Sequence, residues 1–326
     1  MSEVPIPTPS GLKPGDPWLK KWVVAARLPF LTASVTPVLA ATAAAAWQAQ
    51  WQAQGAFLPW HAALAAVGVA FVHAGANLAN DYFDHLSGND AANRLVTPFS
   101  GGSRVIQEGI LSARAILLAS LACLAAGAAC GIVLWLRTGH ALLAIGLAGL
   151  AVGWCYSAPP LRLSHRGLGE LAVAVAFGPL PVLGAEYVQR GQLSLKVGWL
   201  GVPAGLLVAA ILLANEFPDV DADSAAGKRT LVVRLGRQRA ALVYELLVLA
   251  AYASVCVGVL LEWMPSLAAA VVLAAPLSRR AMRGLRTHPD DVRALLPALK
   301  ATIAQQAVFM VLLTGAYLGS LALRVR

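Results

Sequence analysis

Apolar residues run along this chain in long blocks, broken by short polar stretches. Blocks of about 20 residues match the length a helix needs to cross a bilayer. They predict helices over roughly residues 23–46, 60–82, 114–136, 140–157, 168–188, 197–215, 239–261, 265–282 and 298–322. The expected fold class is therefore all-α, a polytopic membrane bundle of about nine transmembrane helices. Residues 1–22 read as a cytoplasmic N-terminal tail and 23–326 as a single transmembrane domain, with no soluble module long enough to fold separately.

Composition agrees: 58% of residues are hydrophobic and 13% charged, with a mean hydropathy of +0.68. A soluble domain carries about a quarter charged residues, so a water-soluble fold is excluded. Met1 to Asp16 is rich in Pro and Ser and lacks the basic-then-apolar pattern of a cleaved signal. Cys123, Cys130, Cys155 and Cys256 fall inside predicted spans without metal-ligand spacing and read as buried small hydrophobes. Trp18, Trp22, Trp47, Trp51, Trp60, Trp199 and Trp263 lie near span ends and read as an aromatic belt.

Twenty of the 25 basic residues precede span one or follow an even-numbered span. Only Arg137, Arg190, Lys196, Arg324 and Arg326 fall on the other side. This asymmetry places the N-terminus and the even-numbered loops in the cytoplasm, as expected of a multi-pass protein of the cell inner (plasma) membrane. The net charge of +9 is then a topology signal, and nucleic-acid binding is not needed to explain it. The basic loops also favour anionic lipid or a polyanionic substrate.

The acidic residues carry the functional signal. Leu78-Ala79-Asn80-Asp81-Tyr82-Phe83-Asp84 recurs as Leu213-Ala214-Asn215-Glu216-Phe217-Pro218-Asp219, each time where an apolar run ends. With Asp90, Asp221 and Asp223 these segments hold 7 of the 16 acidic residues. Carboxylates at a membrane edge are expensive and contribute little to orientation, so this density calls for a cationic partner. Both copies follow even-numbered spans and enter from one face. That predicts two parallel four-helix repeats plus one helix, around a central cavity opening at the cytoplasmic side.

Asn77, Asp81 and Asp84 share one helical face, and Asn215, Asp219 and Asp223 nearly share another, although Pro218 is expected to kink or end that helix. Such clusters of hard oxygen donors suit Mg²⁺, with substrate phosphate completing its shell. Arg104 follows Gly101-Gly102, and Lys228 follows Gly227, supplying a planar fork and a point charge for phosphate. Together they describe a site for an amphiphile with a diphosphate head and a hydrocarbon tail. Tyr156 stands where a helix must stop at Pro159-Pro160, beside Arg162. His61, His73, His140 and His165 are scattered and read as structural.

At these residues the chain resembles the UbiA-type intramembrane prenyltransferases. Their first motif, N-x-x-x-D-x-x-D, matches Asn77, Asp81 and Asp84, and their second, D-x-x-x-D, matches Asp219 and Asp223. The resemblance runs from about Pro29 to the C-terminus. Asn77 to Asp90, Ser100 to Ser112, Tyr156 to Gly191 and Asn215 to Gly236 look most like the 1,4-dihydroxy-2-naphthoate polyprenyltransferases of menaquinone synthesis. One departure is the third acidic position, where Gly88 stands and Asp90 follows two residues later.

The resemblance implies that Asp81, Asp84, Asp219 and Asp223 hold Mg²⁺ on a polyprenyl diphosphate, helped by Asn77, Asn80, Asn215 and Asp90. Arg104 and Lys228 would take up charge as the carbon–oxygen bond breaks. Tyr156 and Arg162 would face the aromatic acceptor, which loses carbon dioxide if it is the naphthoate. The implied partners are the diphosphate donor, the aromatic acceptor and the bilayer, with no obligate protein partner and no nucleic acid. The motifs alone leave open 4-hydroxybenzoate, homogentisate, haem or chlorin as acceptor, a cation-coupled transporter, and a non-catalytic quinone-binding protein.

Overall fold

A computed structural model describes residues 10–51, 57–93, 95 and 97–323. Arg94, Arg324, Arg326 and residues 1–9 of the expected N-terminal tail lie outside the described residues. Among the described residues every regular element is helical. Seven helical segments are long and apolar enough to cross a membrane: Leu28–Gln50, Pro59–Ser87, Ala113–Thr138, Gly169–Arg190, Leu195–Ala225, Arg237–Leu260 and Val292–Leu323. Two of the nine expected spans fall short of that measure. The fourth is the 16-residue helix His140–Cys155. The eighth is divided into a 3₁₀ stretch, Ser266–Ala274, and the helix Ala275–Thr287, with Pro276 in the latter's first turn.

Glycine and proline divide a further run that hydropathy reads as continuous. Helix Gly169–Phe177 stops at Gly178, and Pro179, which fits a first helical position, starts Pro179–Arg190. The break lets this segment press its backbone against helix Gly201–Ala225. A Cβ on Gly201 would stand 2.8 Å from Pro179 Cα, a distance real side chains do not adopt. Pro218, by contrast, neither ends nor divides Gly201–Ala225, which runs through it. Its ring is buried, so Asn215, Asp219 and Asp223 stay on one helix.

The two motif-bearing helices lie at the centre. Pro59–Ser87, the first-motif helix, packs on Ala113–Thr138. Gly201–Ala225, the second-motif helix, packs on Gly169–Phe177 and Arg237–Leu260. One core cluster includes Trp47, Phe309 and Tyr317, and a second gathers Phe217, Tyr244 and Leu285. Trp47 is therefore not a belt residue: it is buried edge-on to Tyr317, with ring centroids 5.7 Å apart. Trp18 and Trp60 are exposed, as a belt requires. The cysteines also depart from expectation: Cys123, Cys130 and Cys155 are half-buried, and Cys256 is exposed on a membrane-spanning helix.

Candidate active site

The first-motif helix ends at Ser87, where Gly88 takes the left-handed conformation (φ 77°) that stops helices. A new helical turn, Asn89–Ala92, then folds Asp90 back toward the motif. The following loop carries Gly101 and Gly102, both at positive φ, 81° and 80°. That geometry turns backbone N–H groups inward. Gly101 N–H donates to Asp219 Oδ2 (3.1 Å), and Ser103 N–H donates to Asp81 Oδ2 (3.3 Å). A Cβ on Gly102 would meet Asp90 Oδ1 at 3.2 Å, so glycine is needed for space as well as for φ.

This loop ties the two motifs together. Asn93 Nδ2 donates to Asp219 Oδ1 at 2.8 Å. Lys228, just beyond the second-motif helix, places its ammonium 3.4 Å from Asp84 Oδ2 and 3.5 Å from Asp223 Oδ1. The Asp-rich ends of two distant segments thus converge on one buried cation. Burial works against the charge on Lys228, but Asp84 and Asp223 outweigh it and hold its pKa above the ordinary lysine value.

A cavity of about 210 Å³ opens beside this cation. Among the residues expected in the site, Asn77, Asn80, Asp84, Asp90, Tyr156, Asn215, Asp219, Asp223 and Lys228 line it. Asp81, Arg104 and Arg162 do not. The Asp81 carboxylate is taken up by Arg27 and by the Ser103 hydroxyl. Arg104 turns its guanidinium to the carbonyl oxygen of Asp90, which steadies the loop. Asp90, two residues beyond the usual third acidic position, lines the same cavity. Burial, then the charges of Asp84 and Asp81, push its carboxyl up to about 8 against the pull of Arg27 and Arg104.

Sequence reasoning missed three lining residues. Arg27 counted only as a topology charge, yet it reaches Asp81 across 54 residues of sequence. Burial opposes its charge, and Asp81 and Asp90 more than restore it, leaving its pKa raised. Glu216 had been given no role. His73 had been read as structural, but it lines this cavity and a second, apolar one of about 280 Å³. Its Nδ1 pairs with Ser34 Oγ at 3.0 Å, and its ring meets Phe177 edge-on at 4.7 Å. Ala76, Gly153, Ala176 and Phe177 also belong to both cavities, so a charged chamber adjoins an apolar one.

The donor set fits a hard divalent cation. Asp84 Oδ1 and Asn89 Oδ1 are buried without hydrogen-bond partners among the described residues, and Asp223 Oδ1 has the Lys228 ammonium only at 3.5 Å. No three acidic, His or Cys side chains among the described residues converge tightly enough to hold an ion alone. A cation here would draw further oxygens from water or a phosphate, which is the usual habit of Mg²⁺.

Known proteins resemble this chain in sequence and in fold. Residues 35–313 match the model of the UbiA prenyltransferase family. A 1,4-dihydroxy-2-naphthoate octaprenyltransferase of Mycobacterium tuberculosis is 37% identical over 91% of this chain and 96% of its own length. The enzyme of that name from Mycobacterium leprae is 33% identical over 91% and 95%. In fold, a UbiA homolog from Archaeoglobus fulgidus bound to DMAPP and Mg²⁺ superposes with a TM-score of 0.64 at 17% identity, covering 91% of this chain and 99% of that one. With two Asp-bearing helix ends joined at one chamber and a family match across most of its length, the chain belongs to the UbiA prenyltransferase family.

Proposed function

We propose that this protein is a membrane-embedded aromatic prenyltransferase. It moves a polyprenyl group from polyprenyl diphosphate to 1,4-dihydroxy-2-naphthoate, with loss of carbon dioxide, giving demethylmenaquinone. The observation that carries this reading is the meeting of Asp84 and Asp223 at Lys228, on the wall of a chamber that adjoins an apolar cavity. A diphosphate head and a hydrocarbon tail need those two environments side by side. The naphthoate acceptor rests on the names of the mycobacterial relatives.

In this reading Asp84, Asp219 and Asp223 would hold Mg²⁺ at the diphosphate, with Asn77, Asn80, Asn215 and Asp90 completing the polar wall. The ion, when bound, neutralises the diphosphate and eases its departure. Asp81 acts through Arg27, whose guanidinium it holds at the edge of the chamber. Lys228 receives the negative charge that grows on the leaving oxygen, a preorganised interaction that needs no reorganisation during reaction. Arg104 fixes the loop that presents Gly101 and Ser103. The apolar walls near Ala76, Phe177 and Val208 keep water from the prenyl carbon as its bond breaks. Tyr156 flanks the acceptor, and Arg162 lies outside the chamber wall.

The membrane arrangement belongs to the same proposal. His140–Cys155 and the divided Ser266–Thr287 segment complete nine crossings, read as two parallel four-helix repeats plus one within a single domain over 23–326. The chamber then faces the cytoplasm, as does the N-terminal tail, in the plasma membrane. The test combines membranes containing the protein with polyprenyl diphosphate, 1,4-dihydroxy-2-naphthoate and Mg²⁺, and follows product by mass. A prenylated, decarboxylated product is expected; product from 4-hydroxybenzoate or homogentisate alone would move the assignment to another acceptor.

A further inference from the structure

Two buried carboxyl groups near the chamber have no part in holding the diphosphate. Glu216 lies on the second-motif helix, lines the chamber, and is 8% exposed. Glu170, in the first turn of helix Gly169–Phe177, is also 8% exposed, and its carboxyl lies within side-chain hydrogen-bonding reach of that of Glu216. Val232 N–H donates to Glu216 Oε2 at 3.3 Å. Thr230, which caps the short helix Leu231–Leu235, fixes that donor in place. Glu170 Oε1 is buried with no hydrogen-bond partner among the described residues.

Two buried carboxyls this close share a proton rather than both ionising. The pair therefore keeps one negative charge and, with that proton and the Val232 N–H, has two donors for four oxygens. Buried acceptors left unfilled are costly, so the chamber wall is built to receive a donor from outside the chain. A diphosphate carries no such donor at neutral pH and would be repelled. A hydroxyl on an aromatic ring carries one. The neighbours agree, since Tyr156 and Leu212 line the same chamber as Glu216, and a Cβ on Gly169 would stand 3.7 Å from Tyr156 Cε2. A flat ring against these groups would present its edge to the carboxyl.

We propose that Glu216 is the hydrogen-bond acceptor that reads a ring hydroxyl of the aromatic acceptor. Glu170 and the Val232 N–H act as positioning groups that fix its carboxyl. This rests on the prenyltransferase reading above and adds to it the residue that selects a dihydroxy ring. It also supplies chemistry: an oxygen accepting the hydroxyl's hydrogen bond leaves the ring richer in electrons at the carbon that attacks.

The test compares two probes, 1,4-dihydroxy-2-naphthoate and 1-hydroxy-2-naphthoate, which lacks one hydroxyl. Anaerobic binding of each is read from its stabilisation of the detergent-purified full-length protein against heat, and turnover of each from product mass. In Glu216→Gln the amide oxygen stays on the Val232 N–H, and the amide NH₂ replaces the free acceptor. The wild type is expected to bind the dihydroxy ring about 10- to 100-fold more tightly, the range for a hydrogen bond to a charged group. In Glu216→Gln that ratio falls to about threefold or less, while the KM for the diphosphate stays unchanged.

A purely structural role would weaken both probes alike and leave their ratio intact, and that outcome overturns the inference. Intrinsic ring reactivity is the same in both proteins and divides out of the turnover comparison. If Glu216→Gln does not fold, Glu170→Gln provides the second reading. It should lower the same ratio by a smaller factor, and an unchanged ratio counts against the proposal. Failure of the wild type to prenylate either ring would sink the function itself, whereas loss of selectivity alone tests Glu216.

Discussion

Replacing Lys228 with Met removes the cation that bridges the carboxylates of the two motif helices, Asp84 and Asp223. Its side chain is 13% exposed, so solvent screens it little. At 3.4 Å and an effective dielectric of about 20, a single ion pair is worth about 5 kcal/mol before desolvation is subtracted. Desolvation takes back much of that, but removing one partner strands the others. Breaking a buried pair this way costs about 3–5 kcal/mol. At about 2–4 °C per kcal/mol, the loss in chelator is roughly 6–20 °C of Tm.

Mg²⁺ should then do what Lys228 no longer does. At a concentration about 100 times its Kd, it returns about 2.7 kcal/mol to whichever form binds it. The assay is thermal unfolding in detergent followed by tryptophan fluorescence, in EDTA and in excess Mg²⁺, for wild type and Lys228→Met. The variant should melt well below wild type in EDTA and gain more from Mg²⁺ than wild type does, while turning over slowly. A variant that melts within about 1 °C of wild type in EDTA refutes the reasoning. So does one that gains no more from Mg²⁺ than wild type.

Other outcomes follow from the same geometry. Asp84→Asn and Asp223→Asn should each lower kcat by about 10²–10³-fold, with a higher Mg²⁺ requirement, measured by product mass against Mg²⁺ titration. Arg27→Leu strands Asp81 and should destabilise the protein by about 3–5 kcal/mol in thermal unfolding; Arg27→Lys should recover part of it. Gly102→Ala forces an L side chain to φ 80° and sets its Cβ 3.2 Å from Asp90. It should cost about 1–3 kcal/mol of stability and reduce turnover, whereas alanine at Gly149, which has open space and no positive φ, should leave both nearly unchanged.

Much of the site was legible because charge is so scarce in this chain. Asp84, Asp219, Asp223 and Lys228 stood out against apolar surroundings, and the helical spacing of the aspartates put them on shared faces. The long spans were legible for the same reason: apolar length is a local property. Arg27 was not, because a basic residue before the first span reads as orientation, and only the folded chain brings it to Asp81. Asp81 looked equivalent to Asp84, yet its partner Arg27 turns it out of the chamber wall.

Local proline signals pointed both ways. Gly178-Pro179 divides a run that hydropathy treats as whole, since mean hydropathy is blind to backbone hydrogen bonding. Pro218 looked like a helix end, but burial and the ties of Asp219 to Asn93 and Gly101 carry the helix through it. Trp47 illustrates a third limit. Its position suggested an interface, while its packing against Tyr317 depends on a helix nearly 270 residues away along the chain. Glu216 had no signal of its own until Glu170 and Val232 were placed beside it.

The decisive experiment is a crystal structure grown with Mn²⁺ in place of Mg²⁺ and an unreactive thiolodiphosphate analogue of the prenyl donor. The account predicts anomalous density within coordination distance of both Asp84 and Asp223, about 2.0–2.2 Å from their oxygens, with the analogue's phosphates completing the shell. Metal held by one motif alone, or a diphosphate seated away from both, would contradict it.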